Sequence, residues 1–568
     1  MKSASGDGLI EGRAGETSTG SPGNPDGHPD REVESGRPAV HTSASAASPT
    51  ARLVFHPYLF AAYPILALYP ANANELQFSA LLSPLIVIVG LTGCLVGIFK
   101  VFGADPQRAG LHVSLSLALF FSFGHVAQAL ESWKGQPWDG AVVSVYLATF
   151  LLVAHGIQSA RHPGRFGYLL NRISALFCLV PLTLALVTSL EKPQRPAFAP
   201  VPILPGAVDL QRPDIYHILL DGYARADTLA EYYSHDNTPF LRALEDRGFI
   251  VCSQAFSNYT RTDLTFFSML NATHVTDLLQ SGEVTPDDFS GAVPYIRDNR
   301  AIQNLRQLGY KIVRFETAWS STEGMPTDVL LAPSLRVSEL HSLILGMTPL
   351  FRTAMKRMFL HLHRSQIQFV LEGIAGTASI PGPKYVLAHV VSPHWPFVFR
   401  EDGSFNDPGP IFFNVLDPHG GSNFTVEKGP YRRQYADQLK FVNREILKGL
   451  DGLLGSIDPN AIVLIHSDHG PQSLLGEPVS IQARVRERMR ILLAWRVPPG
   501  MKHRIESRMS PITIFPRILS YITGKALPEP PQRAYRVGSG DVPVLEEVTS
   551  LIDDPPSGGA IVVPIGRP

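Results

Sequence analysis

Cysteine is scarce in this chain, which contains only three cysteines in 568 residues. Cys94 and Cys178 lie in apolar stretches of the first third, and Cys252 lies alone in the large C-terminal part. A single thiol excludes an internal disulfide there, so we expect the hydrophobic core to hold the C-terminal part together. The scarcity of cysteine does not by itself identify the cellular compartment.

A surplus of basic residues is also missing. Lys and Arg number 49 against 50 Asp and Glu, which gives a net charge of −1, so nothing points to nucleic acid as a partner. Residues 1–50 are poor in large apolar side chains and rich in Gly, Ser and Pro. Such a segment cannot bury enough surface to offset its ordering entropy, and we predict that it is disordered. No apolar core follows a basic start, so it does not resemble a secretory signal.

Charged residues are absent from five apolar stretches of about the 20 residues that a transmembrane helix needs. These stretches are 53–74, 76–99, 110–130, 140–160 and 173–190. A buried helical core in a soluble protein is the alternative interpretation. Five consecutive uncharged runs favour a membrane domain over residues 51–190 with about five transmembrane helices.

The basic residues between these stretches indicate an orientation, because Lys and Arg in short loops favour the cytoplasm. The loop after the second stretch holds Lys100 and Arg108, and the loop after the fourth holds Arg161, Arg165 and Arg172. This alternation predicts a cytoplasmic N-terminus. Five spans then place the rest of the chain outside the cytoplasm, so we expect an integral protein of the inner or plasma membrane with an extracytoplasmic catalytic domain.

The composition changes again after the last apolar stretch. Residues 191–213 contain six prolines, which is typical of a semi-rigid extended linker. From 214 to about 540 the chain alternates runs typical of strands with runs typical of helices, including a long amphipathic helix over 431–454. Alternation of this kind predicts an α/β domain with a largely parallel sheet sandwiched by helices, followed by a C-terminal tail over 541–568.

Potential metal ligands follow two of the predicted strands. Asp221 closes the apolar run 215–220, and Asp468 and His469 follow the run 461–465 within the tetrad Ser-Asp-His-Gly. Ligands bind at the carboxyl ends of the strands in open α/β sheets. Two carboxylates and an imidazole suit a divalent metal ion such as Zn²⁺ or Mn²⁺.

Two further residues are candidates for catalysis. Thr262 begins a predicted helix, where a hydroxyl meets unpaired backbone N–H groups and the positive end of the helix dipole. A hydroxyl that also touches a metal can act as a nucleophile, although Thr260 or Thr262 as a simple N-cap is the alternative. His394 lies in a loop beyond the strand 385–388 and could donate a hydrogen bond to a substrate oxygen or a leaving group. His389 and His466 are interpreted as core or supporting residues.

Together these motifs resemble the alkaline phosphatase superfamily, and in particular its membrane-anchored sulfatase-like branch, which includes lipoteichoic acid synthases and phosphoethanolamine transferases. The resemblance covers the spans loosely and residues 212 to about 525 more fully. It implies metal ligation by Asp221, Asp468, His469 and the nucleophile Thr262, and binding of the phosphoryl group by His394.

Two features of that superfamily are missing. Neither Cys252 nor a serine near Thr262 begins the C/S-x-P-x-R pattern that classical sulfatases convert to formylglycine. Residues 471–500 contain no histidine, although phosphoethanolamine transferases carry one after the tetrad. We therefore expect a single metal ion and no formylglycine route to sulfate hydrolysis.

The resulting hypothesis is a membrane-anchored enzyme that transfers a phosphoryl or phospho-alcohol group of a lipid or surface glycan through Thr262. One alternative is a sulfuric-ester or phosphodiester hydrolase with water as the acceptor. Another is a non-catalytic membrane scaffold that retains the fold.

Overall fold

The computed structural model describes residues 53–72, 76, 78–134, 139–190, 212–281, 291–317, 319–335, 338–408, 428–537, 544–553 and 561–564. The predicted disordered segment 1–50 lies outside these residues, as does the Pro-rich linker apart from 212–213. The described chain forms a helical region followed by an α/β domain, which confirms the fold class predicted from the sequence.

Five helices make up the described part of the helical region. They are α1 (His56–Ala71), α2 (Leu82–Val101), α3 (Pro106–Lys134), α4 (Asp139–Ser159) and α5 (Pro163–Leu190). Among the described residues, four helices are long and apolar enough to cross a membrane, namely Phe78–Val101, Pro106–Leu130, Asp139–Ser159 and Pro163–Val187. Helix α1 has 16 residues. That length corresponds to about 24 Å against about 30 Å of hydrocarbon, so a fifth span stays a prediction.

Helix α1 packs inside this bundle, against α2, α3 and α5. Its residues Ala61, Ile65 and Tyr69 are buried. Large apolar side chains of the other helices point outward, and Ile86 of α2 and Leu152 of α4 are 72% and 74% exposed. A contiguous apolar surface of this kind is typical of contact with lipid.

A mixed sheet of seven strands forms the centre of the α/β domain. The strands are β1 (Ile215–Leu220), β2 (Ile250–Val251), β3 (Lys311–Phe315), β4 (Val329–Leu331), β5 (Lys384–Val390), β6 (Ile462–His466) and β7 (Leu493–Arg496), in the order β2-β7-β6-β1-β5-β3-β4. The pairs from β6 to β4 are parallel, whereas β7 and β2 add two antiparallel pairs at one side. The sheet is therefore largely parallel, as the alternation of elements predicts.

Helices of the α/β domain cover both faces of this sheet, apart from one that packs on the N-terminal helices. The described helices of the domain are α6 (Ala226–Tyr233), α7 (Thr238–Glu245), α8 (Thr262–Asn271), α9 (Val275–Ser281), α10 (Val293–Arg297), α11 (Arg300–Gln307), α12 (Glu339–Gly346), α13 (Lys356–Gly373), α14 (Lys428–Leu454), α15 (Ile481–Met489) and α16 (Ile514–Thr523), and α12 is the one that packs on the N-terminal helices. Alternate residues of β1 divide between two cores. Ile215 and Leu219 join the core that contains α8 and α16, and Ile218 and Leu220 join the core that contains α13 and α14.

A row of buried, hydrogen-bonded side chains crosses the sheet beneath the predicted metal ligands. Nδ1 of His466 donates to the carbonyl of Ser467 at 2.8 Å, because a carbonyl can only accept. Nε2 of His466 must then accept from Nε2 of His217 at 2.6 Å, and Nδ1 of His217 accepts from the Tyr385 hydroxyl at 2.8 Å. Burial lowers the pKa of His466 to about 4 and that of His217 well below its usual value. Both imidazoles are therefore neutral. This row of hydrogen bonds fixes the backbone beside Asp468.

A second sheet of three antiparallel strands consists of β8 (Tyr535–Val537), β9 (Val544–Glu547) and β10 (Ile561–Pro564). The residues after β9 join the domain, because Val548 and Ile552 form a buried cluster with Phe256 and Met489. Strands of this sheet lie both before and after residue 540, where the sequence analysis places the end of the catalytic domain. The boundary between domain and tail stays a prediction.

Candidate metal centre and nucleophile

The register of two parallel strands brings the two aspartates together. Leu219 of β1 pairs with His466 of β6, so the residues two positions further on, Asp221 and Asp468, lie at the same level beyond the strand ends. The amide of Gly222 donates to Oδ1 of Asp468 at 3.2 Å. Short apolar strands therefore place both carboxylates at the carboxyl edge of the sheet, as the sequence predicts.

His469 presents one free nitrogen to this pair of carboxylates. Its Nδ1 donates to the carbonyl of Gly470 at 3.0 Å, which leaves the lone pair on Nε2. Nε2 lies 3.3 Å from Oδ2 of Asp468 and 3.8 Å from Oδ1 of Asp221. An imidazole whose other nitrogen is held by a backbone carbonyl is the usual arrangement for a metal ligand.

The two carboxylate oxygens that face His469 have no hydrogen-bond donor among the described residues. Both atoms, Oδ1 of Asp221 and Oδ2 of Asp468, are buried. A buried acceptor without a partner is costly, and a buried charge more so, unless a cation is present. Two such oxygens and an imidazole lone pair around one point fit a divalent metal ion.

Burial and mutual repulsion separate the pKa values of the two aspartates. Burial and the negative charge of Asp221 raise the pKa of Asp468 to about 6. Burial also raises the pKa of Asp221, but the neighbouring His394, His389 and His469 outweigh this effect, so the pKa of that carboxyl is lowered. Without a metal ion, Asp468 therefore takes up a proton at a higher pH than Asp221 does.

Thr262 is the threonine that faces this centre. It is the first residue of α8, and its Oγ1 lies 3.0 Å from Nε2 of His469. The neighbouring threonines are turned to other partners: Oγ1 of Thr260 accepts from the amide of Val537 at 3.4 Å, and buried Thr265 donates to the carbonyl of Asp468 at 3.2 Å. The assignment of Thr262 as the nucleophile stays a prediction, and this geometry supports it.

His394 lies among the candidate metal ligands. One ring nitrogen of His394, one ring nitrogen of His469 and one carboxylate oxygen of Asp221 all lie within 4.8 Å of one another. The amide of His394 donates to the carbonyl of Asp221 at 2.9 Å, and its Nδ1 donates to the carbonyl of Trp395 at 2.6 Å. The free Nε2 can therefore ligate a metal ion or bind a substrate oxygen.

His389 supports the centre from below. It is buried at the end of β5, and its Nε2 donates to Oδ2 of Asp221 at 3.3 Å. This contact leaves Oδ1 of Asp221 as the oxygen that faces His469. The sequence interpretation of His389 as a supporting residue agrees with this position.

Arg488 is a residue of this site that the sequence analysis missed. Its Nε donates to the carbonyl of Thr260 at 2.9 Å, and its Nη1 donates to the carbonyl of Gly470 at 2.6 Å. It thus links the loop before Thr262 to the loop after His469. Gly470 itself permits this approach, because a Cβ there would lie 2.1 Å from the carbonyl of Glu487. The sequence signal that could have identified Arg488 is a basic residue on the helix that follows the Ser-Asp-His-Gly tetrad.

Replacing Arg488 with lysine should lower turnover roughly 10²-fold, because a single ammonium cannot bond both carbonyls and a small displacement of reacting groups has an effect of this size. Melting temperature and metal content should change little. Arg486→Lys is the matched control on the same helix, since Arg486 bonds the carbonyl of Asp553 instead. Equal rates for the two variants would contradict a positioning role for Arg488.

A largely parallel α/β sheet with a candidate metal centre at its carboxyl edge is the architecture of a sulfatase-like hydrolase or phosphotransferase. A family model for Sulfatase matches residues 213–524, which is more than half of the chain, and the protein belongs to that family of sulfatase-like hydrolases and phosphotransferases. Family membership and the assembled centre favour an enzyme over the scaffold alternative. No curated protein matches the sequence.

Several solved structures are similar to parts of this chain. The periplasmic domain of EcEptC from Escherichia coli, in complex with Zn, is 14% identical, covers 57% of this chain and 87% of its own, and has a TM-score of 0.38. The integral membrane lipooligosaccharide phosphoethanolamine transferase A from Neisseria meningitidis is 13% identical, with coverages of 84% and 95% and a TM-score of 0.38. Phosphonate monoester hydrolase of Agrobacterium radiobacter is 12% identical, with coverages of 62% and 89% and a TM-score of 0.39. Identities this low leave the substrate open.

Proposed function

We propose that this protein is a membrane-anchored transferase that moves a phosphoryl or phospho-alcohol group from a lipid or surface-glycan phosphodiester to an alcohol through Thr262. The observation that carries the proposal is the placement of the Thr262 hydroxyl 3.0 Å from Nε2 of His469, beside two buried carboxylate oxygens that accept no hydrogen bond from the described residues. A nucleophile within reach of an activating group is the signature of covalent catalysis.

Asp221, Asp468, His469 and Thr262 would hold one divalent ion, Zn²⁺ or Mn²⁺. Such an ion, when bound, lowers the pKa of a coordinated hydroxyl and neutralises charge that develops on a phosphoryl oxygen. The start of α8 adds unpaired N–H groups and a favourable dipole at the place where the phosphoryl oxygens would lie.

The chemistry divides between two steps. In the first, the Thr262 hydroxyl gives its proton to water, its oxygen attacks phosphorus, the bond from phosphorus to the donor alcohol breaks, and phosphothreonine forms. His394, carrying a second proton on Nε2, is placed to donate that proton to the leaving alkoxide, which departs as the donor alcohol. In the second step the acceptor alcohol gives its proton to Nε2 of His394 and attacks the same phosphorus, the bond from phosphorus to Thr262 breaks, and Thr262 takes a proton back from water.

The apolar helices α2 to α5 support a location in the membrane, with the α/β domain held near the lipid surface. A phosphodiester in a lipid head group or in a glycan next to the membrane is therefore the favoured substrate class. The absence of the C/S-x-P-x-R pattern near Thr262 disfavours sulfate-ester hydrolysis, and water as the acceptor is the second candidate.

Product analysis separates transfer from hydrolysis. The purified full chain, loaded with Zn²⁺ or Mn²⁺, is incubated with vesicles that contain a phospholipid labelled in its head group, with and without a soluble alcohol acceptor. We expect labelled alcohol ester to form at the expense of free phospho-alcohol when the acceptor is present. An unchanged yield of the water product would identify a phosphodiesterase, and turnover of an aryl sulfate alone would contradict the proposal.

A further inference from the structure

An uncharged segment occurs in the α/β domain, far along the chain from the N-terminal helices. Residues 340–351 contain no Asp, Glu, Lys or Arg and lie between Glu339 and Arg352. The segment comprises most of α12 and the turn that follows it. Twelve residues are too few to span a bilayer but suit a buried, re-entrant or interfacial segment.

This segment contacts the N-terminal helices directly. The amide of Gly124, in the middle of α3, donates to the carbonyl of Met347 at 2.9 Å. A Cβ at Gly124 would lie 2.1 Å from the carbonyl of Gly346, so only glycine allows the two backbones to approach this closely. Buried Leu340 shares a cluster with Tyr69, near the end of α1. The α/β domain is thus seated on the bundle through α12.

The contact lies inside the apolar part of α3. Gly124 precedes the end of the apolar stretch, Leu130, by six residues, which corresponds to about 9 Å along the helix axis. If α3 spans a bilayer, the backbone of Gly346 and Met347 lies at the depth of the hydrocarbon. Backbone at that depth is tolerated where protein buries it, and here Met347 is buried and Gly346 is half-buried.

The other side of the segment is apolar and open. Leu350 is 41% exposed and Met358, in the first turn of α13, is 45% exposed, and they lie on either side of the π-helical segment Phe351–Met355. Lys356 and Arg357 lie beside them. Exposed apolar residues next to basic ones, continuous with a membrane bundle, match a surface that lies in the lipid interface.

The same segment is connected to the catalytic edge of the sheet. The first turns of α13 contact the loop that follows His394: Arg364 donates to the carbonyl of Gly403 at 2.7 Å, and the ring of His361 stacks on Phe405 with centroids 4.2 Å apart. A rigid helix therefore joins the bilayer contact to the loop that carries His394.

We propose that residues 338–358 form a membrane-inserted segment of the catalytic domain, which holds the metal centre against the lipid so that head groups reach Thr262 before soluble phosphodiesters do. The partner of the exposed face is the lipid of the bilayer that α2 to α5 cross. This inference rests on the membrane location in the proposed function and adds a determinant of substrate class.

Fluorescence quenching tests the insertion without any need for activity. In the full chain with its three cysteines replaced by serine, Leu350→Cys carries an environment-sensitive dye, and the protein is reconstituted in vesicles with nitroxide-labelled lipid. We expect quenching of at least about twofold, as for a side chain at the boundary between head groups and acyl chains. Ser456→Cys, on an exposed turn after α14, is the control and should stay bright. Equal brightness at both positions would overturn the proposal.

A matched pair of glycine variants tests the contact between α12 and Gly124 of α3. Gly124→Ala adds a methyl group that must displace the backbone of Gly346, whereas Gly156→Ala, within α4, adds one with nothing within 4 Å. Both changes raise helix propensity equally. We expect Gly124→Ala to reduce the quenching of the dye at position 350 and Gly156→Ala to leave it unchanged. A dye that responds to neither variant would show that α12 is not seated there.

Substrate choice gives the functional readout. Leu350→Glu should lower turnover of a vesicle-bound head-group phosphodiester about tenfold, because a carboxylate resists insertion, and should leave a soluble aryl phosphodiester unaffected. Equal loss on both substrates would overturn the proposal. If the wild-type protein turns over neither substrate, the proposed function fails while the quenching result still decides the insertion.

Discussion

Replacing Thr262 with alanine should lower turnover by roughly 10⁴-fold or more, the range observed when a covalent nucleophile is removed. Oγ1 of Thr262 lies 3.0 Å from Nε2 of His469, at the start of α8, and the other threonines nearby face the backbone of other loops. Among the described residues, the hydroxyls of Thr260 and Thr265 are held by these other partners and do not face the centre. Stopped reactions with phosphorus-labelled substrate should trap phosphothreonine in the wild-type protein and no labelled protein in Thr262→Ala.

Two companion variants make this result specific. Thr262→Ser keeps a hydroxyl and should retain part of the turnover and the covalent label. Thr260→Ala removes a hydroxyl whose bond is a 3.4 Å contact with the amide of Val537, so its turnover should stay near the wild-type value. Covalent label that persists in Thr262→Ala would assign the nucleophile to another residue.

The main features of the centre could be predicted from local sequence patterns because strand ends in an open sheet share one edge. The apolar runs before Asp221 and Asp468 are strands buried on both faces, and their parallel pairing brings the two carboxylates to one level. The hydroxyl at the start of α8 could be predicted for a similar reason, since the apolar periodicity of the helix is a local signal. The N-cap is Arg261, which makes no capping hydrogen bond, so the alternative of Thr260 or Thr262 as a simple N-cap is wrong.

Other features depend on contacts between distant residues and leave no local pattern. The grouping of His394 with Asp221 and His469 depends on how the loop after β5 folds back over β1. Arg488 acts through two backbone carbonyls, and the antiparallel placement of β7 depends on chain reversal after α15. The backbone contact between Gly124 and the end of α12 joins segments more than 200 residues apart, and composition alone cannot reveal such a contact.

Removal of the metal ion should abolish turnover, and Asp468→Asn should lower metal affinity by more than roughly 10²-fold, beyond the loss typical of residues that only support a ligand. Oδ2 of Asp468 is buried without a donor and lies 3.3 Å from Nε2 of His469, so an amide there loses a charged ligand. Metal content and titration of the chelator-treated full chain measure the effect. Asp263→Asn is the control, because that carboxylate pairs with Arg261 at 2.7 Å. Equal affinities for the two variants would exclude Asp468 as a ligand.

The affinity for the metal ion should also depend on pH in a direction that follows from Asp468. Burial and the charge of Asp221 raise the pKa of Asp468 to about 6, whereas the pKa values of Asp221 and His469 are both lowered. The metal binds the deprotonated carboxylate, so a single proton competes with it below about pH 6, and affinity should fall about tenfold per pH unit there and level off above it. The slope should disappear in Asp468→Asn, which has no proton to release. A steeper slope, or the same slope in that variant, would mean that the competing proton resides on another ligand.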